Sequence, residues 1–288
     1  MSGAQLLGLA INLSMALMVF GVALGADAGA IRIALRSPGL IARSMVAMYV
    51  VMPLVAVLIA TTLNLTPALK VSLLLLALAP VPPVLPNKQI KAGGAEAYVL
   101  GLFAVAALLA IIAVPAGVAG FGRILGQDLD VPFGVTAKVV ATSVLLPLVA
   151  GLVLARLAPR FANRASGPIG VAATVLLLLA FLPVLVVARH MIFAQVGQFT
   201  VLGIVVFTVI GLLTGHLLGG PVPANRTSLA LATATRHPGV TLAILHVLNP
   251  DDKSVAPVVL LYLLVAALVS APYLAWRKRA QATAPQGK

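Results

Sequence analysis

The sequence predicts an all-α polytopic membrane protein with about nine transmembrane helices. Three observations support this prediction: 61% of the 288 residues are hydrophobic, the mean hydropathy is +1.15, and only 9% of the residues are charged. Soluble domains carry about 25% charged residues, and a helix needs about 20 mostly apolar residues to cross a bilayer. The composition therefore excludes a soluble enzyme, a disordered chain and a coiled coil.

Apolar windows separated by prolines, glycines and charged residues define the predicted spans. Residues 1–5 lack a basic segment, and no small-residue cleavage site follows the first apolar run. We therefore expect this run to be a retained span rather than a signal peptide. The predicted spans are 4–25, 40–62, 68–92, 96–120, 134–158, 167–188, 198–219, 228–248 and 255–276.

The basic residues between the spans predict an N-terminus outside the cell and a cytoplasmic C-terminus. Lys and Arg residues accumulate on the cytoplasmic side of membrane proteins, so the net charge of +13 reflects topology and not a nucleic-acid partner. The inner flanks hold Arg32, Arg36, Arg43, Lys91, Arg156, Arg160, Arg164, Arg226, Arg277, Lys278 and Arg279. The outer flanks hold only Lys70, Arg123, Lys138, Arg189 and Lys253.

Two of the spans cannot be continuous helices. The third carries four prolines within 80–86, and the eighth carries a Pro-Gly pair inside an apolar run. Proline removes a backbone donor and clashes with the preceding turn, and broken backbone at membrane depth is buried in protein or lines a cavity. The residues assigned to these breaks are Pro82, Pro83, Pro86, Pro238 and Gly239.

The two breaks occupy matching places in the two halves of the chain. Lys88 and Arg236, one beside each break, are 236 − 88 = 148 residues apart. Their spans are five apart, an odd number, so they cross the membrane in opposite directions. This arrangement is typical of inverted-repeat secondary transporters, whereas the alternative is a pair of proline kinks in a scaffold. The predicted organisation is a single transmembrane domain, 1–288, with a first repeat at 4–120, a linking span at 134–158 and a second repeat at 167–276.

Arg236 is the strongest candidate for ligand binding. It lies nine residues from Thr227, about 14 Å along a helix, and hence near the middle of a hydrocarbon core about 30 Å thick. A guanidinium there is costly, marks a functional site, and has a geometry that suits carboxylate, sulfate or phosphate. The alternative is a structural role, in which carbonyl groups freed at Pro238 satisfy the arginine.

Most of the neighbouring polar residues allow two alternative roles. Lys88 lies either at the site or at the inner interface, and Asn87 either binds a ligand or caps freed backbone groups. His237 either carries a proton or is structural, and Thr235 offers a hydroxyl group beside the break. The predicted substrate-binding residues are Asn87, Lys88, Thr235, Arg236 and His237.

Other functional classes find little support in the residues. The chain has no cysteine, and no residues have metal-ligand spacing, so we predict no metal site and no cofactor. An intramembrane enzyme would need paired carboxylates or a nucleophile–base pair at depth, whereas the acids lie near span ends or in loops. We therefore predict that the protein is not an enzyme. A membrane receptor or scaffold, which binds without flux, is the remaining alternative to a transporter.

At these residues the chain resembles the bacterial branch of the bile acid–sodium symporter family. The resemblance covers nearly the whole length and rests on the two breaks, a span ending in Gly-Ala-Asp27, the loop end Arg36-Ser37-Pro38 and Val51-Met52-Pro53. It implies two inverted repeats, with two broken helices crossing in a core domain beside a panel domain. It also implies the nine-span form, and a location in the bacterial inner membrane.

The sodium-binding pattern of that family is altered in this chain. Members that couple to sodium place Ser-Asn at the first break, where this chain has Pro86-Asn87. At the second break they place a Glu and, four residues later, a Gln, and these positions fall on Ala232 and Arg236. We therefore expect alternating-access transport of a small organic anion without sodium, with Lys88 and Arg236 as tethered cations. The alternative is a genuine sodium–organic anion symporter. The expected partners are that anion and the lipid bilayer, with no nucleic acid.

Overall fold

The computed structural model describes residues 3–26, 36–125, 131–197, 199–248 and 255–282, and their regular structure is entirely helical. Seven of these helices are long and apolar enough to cross a bilayer. With the two interrupted spans, they confirm the predicted polytopic all-α architecture. The helices are α1 (Gly3–Gly25), α2 (Pro38–Thr62), α3 (Pro67–Leu78), α4 (Leu85–Lys91), α5 (Glu96–Leu125), α6 (Phe133–Leu157), α7 (Pro159–Phe193), α8 (Thr200–Leu218), α9 (Pro223–Ala234), α10 (Pro238–Leu248) and α11 (Val255–Ala282). Asp27, Arg32 and Lys253, used above for topology and resemblance, lie outside the described residues.

Prolines define where several of these helices begin. Proline is the first residue of α2, α3, α7, α9 and α10, because a first-turn proline has no amide hydrogen bond to lose and its φ angle already suits a helix. At the start of α3 the Thr66 hydroxyl also accepts from the Leu69 amide at 3.3 Å. The same effect moves the start of the sixth span from the predicted residue 167 to Pro159.

Two of the spans contain a short π-helical segment. It covers Ala47–Val51 in α2 and Ala141–Leu145 in α6. Each segment ends two residues before a proline, Pro53 or Pro147, whose missing amide frees a carbonyl group in the preceding turn. Such π segments are rare in proteins, and those that occur lie frequently at functional sites.

The helices form two layers. α1 packs against α6 and α7, and these three helices make a panel. The remaining helices form a core, in which α8 packs against α9 and α11. Large apolar side chains on the outer face of α7 are exposed, as with Leu179 and Val187, which are 66% and 80% exposed. Exposure on this scale suits a surface that faces lipid.

The two interrupted spans cross in the core. The first break covers 79–84, with Pro82 and Pro83 buried in it, and the second covers 235–237. Pro86 lies in the first turn of α4, and Pro238 and Gly239 begin α10, so these three residues start helices after the breaks and do not lie within them. α3 packs against α10, and α4 packs against α9. The crossing therefore lies between the α3–α10 contact and the α4–α9 contact.

Candidate functional site

The two breaks meet through their backbones. The amide of His237 donates to the carbonyl of Pro80 at 2.9 Å. This bond joins the second break directly to the first, although the two residues are more than 150 positions apart in the chain. Amides and carbonyls that a continuous helix would have paired are thus partly paired across the crossing.

Arg236 fills the centre of the crossing. Its side chain has 0% exposure, and its guanidinium donates from Nη1 to the Ala79 carbonyl at 3.2 Å and from Nη2 to the Met48 carbonyl at 2.8 Å. Ala79 belongs to the first break, and Met48 belongs to the π segment of α2. Among the described residues, Nε has no hydrogen-bond partner. The arginine is therefore held by carbonyl groups of other helices, and not by those freed at Pro238 in its own span.

Tyr262 of α11 fixes the backbone at the second break. Its hydroxyl donates to the carbonyl of Ala234 at 2.9 Å and accepts from the amide of Arg236 at 2.9 Å. The ring is fully buried and packs edge-on against Phe207 of α8, with the ring centroids 6.3 Å apart. The Tyr262 hydroxyl thus hydrogen-bonds both to the last carbonyl group of α9 and to the backbone amide of Arg236.

His237 caps the first turn of α10. Its Nδ1 accepts from the amides of Gly239 at 3.1 Å and Val240 at 3.4 Å, which places the ring proton on Nε2. Nε2 lies 3.5 Å from the Ser143 hydroxyl, which belongs to the π segment of α6. A proton on Nδ1 would remove the cap, so this geometry suits a neutral hydrogen-bond donor better than a proton carrier.

A cavity of about 470 Å³ lies between the panel and the core beside His237. Its volume is in the range of small-molecule sites. Among the described residues that line it, Lys138, in the second turn of α6, is the one charged side chain, and none is an acid. The lining comes from α1 (Asn12, Met15), α6 (Lys138, Val139, Thr142, Ser143) and the second break with α10 (His237, Gly239, Ala243).

The structure brings together only part of the predicted substrate-binding set. Arg236 and His237 are fully buried at the crossing, and Thr235 is half-buried between them and α9. Asn87 is half-buried and Lys88 is exposed, and both lie on α4. The pair of cations predicted at the crossing is thus represented there by Arg236.

Some of the site's residues carry only weak signals in the sequence. Lys138 resembles an ordinary flanking lysine, and Tyr262 resembles any aromatic residue of an apolar span. The π segment that contains Ser143 could have been predicted from Pro147, the proline that follows it within the span. Within the described residues, no three His, Cys, Asp or Glu side chains come close enough to hold a metal ion.

The comparisons with known proteins bear on the family of the chain. A search of curated proteins gives no match. The family model described as "Sodium Bile acid symporter family" matches residues 12–196. This region is more than half of the chain and covers the first break, both π segments and most of the panel. The resemblance predicted from the sequence is confirmed: this multi-pass membrane protein belongs to the sodium bile acid symporter family, a family of transporters.

Proposed function

We propose that this protein carries a small organic anion across the membrane by alternating access and does so without sodium. One observation carries the proposal: Arg236 places a fixed positive charge at the crossing, where its Nη1 and Nη2 donate to two backbone carbonyl oxygens. In transporters with broken helices, unwound backbone carbonyls of this kind coordinate the coupling sodium ion. A tethered guanidinium supplies the same charge but cannot leave the site. Transport that uses this fixed charge is therefore not driven by a sodium gradient.

The charge at the crossing favours an anionic substrate. A cation in a medium of low dielectric attracts an anion much more strongly than it would in water. His237, the next residue along the chain, lines the cavity, and its Nε2 hydrogen, 3.5 Å from the Ser143 hydroxyl, could turn to an acceptor oxygen of a bound anion. The exposed Lys138 lies on the same cavity wall and supplies a second cation.

Sodium independence is the first expected result. Proteoliposomes that contain the purified protein should take up one or more members of a set of labelled carboxylates, such as pyruvate, nicotinate and cholate. The initial rate should be the same, within about twofold, in sodium chloride and in choline chloride, because Arg236 already supplies the charge of the missing ion. A clear requirement for sodium would establish the alternative of an ordinary sodium symporter and overturn the proposal.

Lys138 is proposed to pair with the anion in the cavity. We expect Lys138→Gln to raise KM about tenfold and to leave kcat nearly unchanged, because a charged hydrogen bond contributes about 1.5 kcal/mol or more to binding. The measurement is the concentration dependence of uptake for the labelled carboxylate that the wild-type protein transports fastest. Arg123→Gln, at an exposed position in the last turn of α5 at the same end of the bundle, is the matched control. Equal KM changes in the two variants would assign the effect to surface charge and not to the cavity.

Asn87, Lys88 and Thr235 are proposed to act in the opposite state of the transport cycle. The cavity borders α10, whereas α4 packs against α9 on the other side of the crossing. Rocking of the core against the panel would close the cavity beside α10 and expose the residues around α4. From the distribution of basic residues, we propose that α4 faces the cytoplasm and that the protein lies in the bacterial inner membrane with its N-terminus outside.

A further inference from the structure

Three arginines converge on the segment that joins α8 to α9. The Nε of Arg226 donates to the Gly220 carbonyl at 2.5 Å. Nη2 of Arg43, from the start of α2, lies 3.4 Å from the point where a Cβ atom on Gly220 would stand. Gly220 has a φ of +78°, which favours glycine and leaves this space to the Arg43 guanidinium.

Arg277, near the end of α11, reaches the same segment. Its Nε donates to the Thr227 hydroxyl at 2.9 Å and its Nη2 to the Pro223 carbonyl at 3.1 Å. The side chain is only 7% exposed. Arg43, Arg226 and Arg277 together are called the arginine cluster below.

Within the described part of the chain, none of the hydrogen bonds of the arginine cluster goes to a carboxylate. Its hydrogen bonds go to carbonyl and hydroxyl oxygens, and the only acidic residue that the structure describes is Glu96, in the first turn of α5. Like charges that converge in this way repel each other unless an anion lies between them. Guanidinium groups bind phosphate oxygens through paired hydrogen bonds, so a phosphate group is the chemistry that fits.

The position of the arginine cluster indicates where the phosphate comes from. Trp276 is 52% exposed, and the Cζ atom of Arg277 lies 5.1 Å from its ring centroid. Tyr273 packs against this tryptophan with ring centroids 5.7 Å apart, and its hydroxyl lies 2.9 Å from Nδ1 of His216. Tryptophan and tyrosine gather at the headgroup level of a membrane. The arginine cluster therefore lies where lipid headgroups are, at the end of the bundle that the basic residues assign to the cytoplasm.

We propose that the arginine cluster binds the phosphate headgroup of an acidic phospholipid. Basic pockets between transmembrane helices on the cytoplasmic side are suited to such headgroups. A lipid bound there would link the beginnings of α2 and α9 to the end of α11, and would hold the core at the end away from the cavity. This binding site is separate from the proposed transport site and does not depend on the substrate.

The chain's single tryptophan packs against Arg277 of the arginine cluster and makes the proposal directly measurable. Brominated acyl chains quench a tryptophan that they contact. Brominated phosphatidylglycerol, mixed into vesicles that contain the full-length protein, should quench Trp276 at a mole fraction at least about fivefold lower than brominated phosphatidylcholine does. Each arginine near a membrane surface contributes about this factor toward acidic lipid. In the double variant Arg43→Gln/Arg226→Gln, which keeps Arg277, Trp276 should lose most of this difference between the two lipids.

The controls separate a bound headgroup from general surface charge. Arg160→Gln removes an exposed arginine in the first turn of α7, at the same end of the bundle but in the panel, and should keep the preference. Arg277 is nearly buried, so the Arg43 and Arg226 changes are used because they risk the fold less. An equal loss of preference in Arg160→Gln would overturn the proposal, as would equal quenching by both lipids in the unmodified protein. Loss of the preference in millimolar inorganic phosphate would also overturn it, because free phosphate would then displace the lipid headgroup from the arginine cluster.

Discussion

The Arg236→Gln variant is expected to lower uptake of the carboxylate that the wild-type protein transports fastest by roughly 10- to 100-fold or more. The change removes the fixed charge, and the glutamine amide cannot reach the carbonyls of both Ala79 and Met48, which lie on different helices. Each lost hydrogen bond from a buried charged group costs about 1.5 to 3 kcal/mol. The effect should therefore appear as lost transport together with a looser crossing. Initial uptake rates in proteoliposomes, normalised to incorporated protein, provide the measurement.

Two further variants show whether the charge or merely the side chain is required. Arg189→Gln is a matched control, since that arginine also donates to a carbonyl, Val186 at 2.7 Å, but on the exposed surface of its own helix. It should transport normally. Arg236→Lys keeps the charge with a single nitrogen, and we expect part of the uptake to remain. Wild-type uptake in Arg236→Gln, measured in folded protein, would show that the buried charge has no part in transport.

The spans and the two breaks could be predicted because their signals are local. Apolar windows of about 20 residues and clustered prolines act through the backbone of the same segment. For this reason the predicted spans 4–25, 134–158 and 255–276 lie close to α1, α6 and α11. The exact helix starts were harder to predict. A proline such as Pro86 can break a helix or begin one, and this depends on whether the backbone before it is already extended.

The partners of the buried arginine could not be predicted from the sequence. Met48 and Ala79 contribute only carbonyl oxygens, which every residue has. The choice between an anion and carbonyls as the partner of Arg236 depends on how three distant segments pack. The sequence places Lys88 and Arg236 at matching positions, yet one is exposed and the other has 0% exposure. Equal offsets in a repeat predict matching backbone positions and do not predict equal side-chain surroundings.

The close approach of α8 to α9 is a second feature that positions the crossing. Gly211, Gly215 and Gly219 recur every four residues on the face of α8 that meets α9. Small residues at this spacing let membrane helices pack backbone to backbone. At this contact the Thr233 hydroxyl of α9 donates to the Gly211 carbonyl at 2.6 Å. The position of α9, and with it the second break, therefore depends on the absence of side chains on this face.

The Gly215→Ala variant is accordingly expected to destabilise the protein strongly. A Cβ atom at Gly215 would stand 2.4 Å from the Cα of Ala230 and 2.3 Å from the hydroxyl oxygen of Thr233. The first of these atoms belongs to the backbone, so the two helices would have to separate. Overpacking costs about 1 to 3 kcal/mol when side chains can adjust, and we expect the upper end of that range or more here. The apparent unfolding midpoint in detergent should fall by roughly 5 to 10 °C, and transport should fall with it because α9 would shift.

Gly120→Ala separates this packing effect from the general consequences of adding a methyl group. Gly120 lies inside α5, and a Cβ atom there would have no neighbour within 4 Å. Alanine is favoured over glycine in a helix interior by about 0.5 to 1 kcal/mol, so Gly120→Ala should leave the midpoint unchanged or raise it slightly. The same substitution should thus act in opposite directions at the two sites. If Gly215→Ala left both midpoint and uptake unchanged, α8 and α9 would not depend on backbone contact, and another element would have to hold the second break at the crossing.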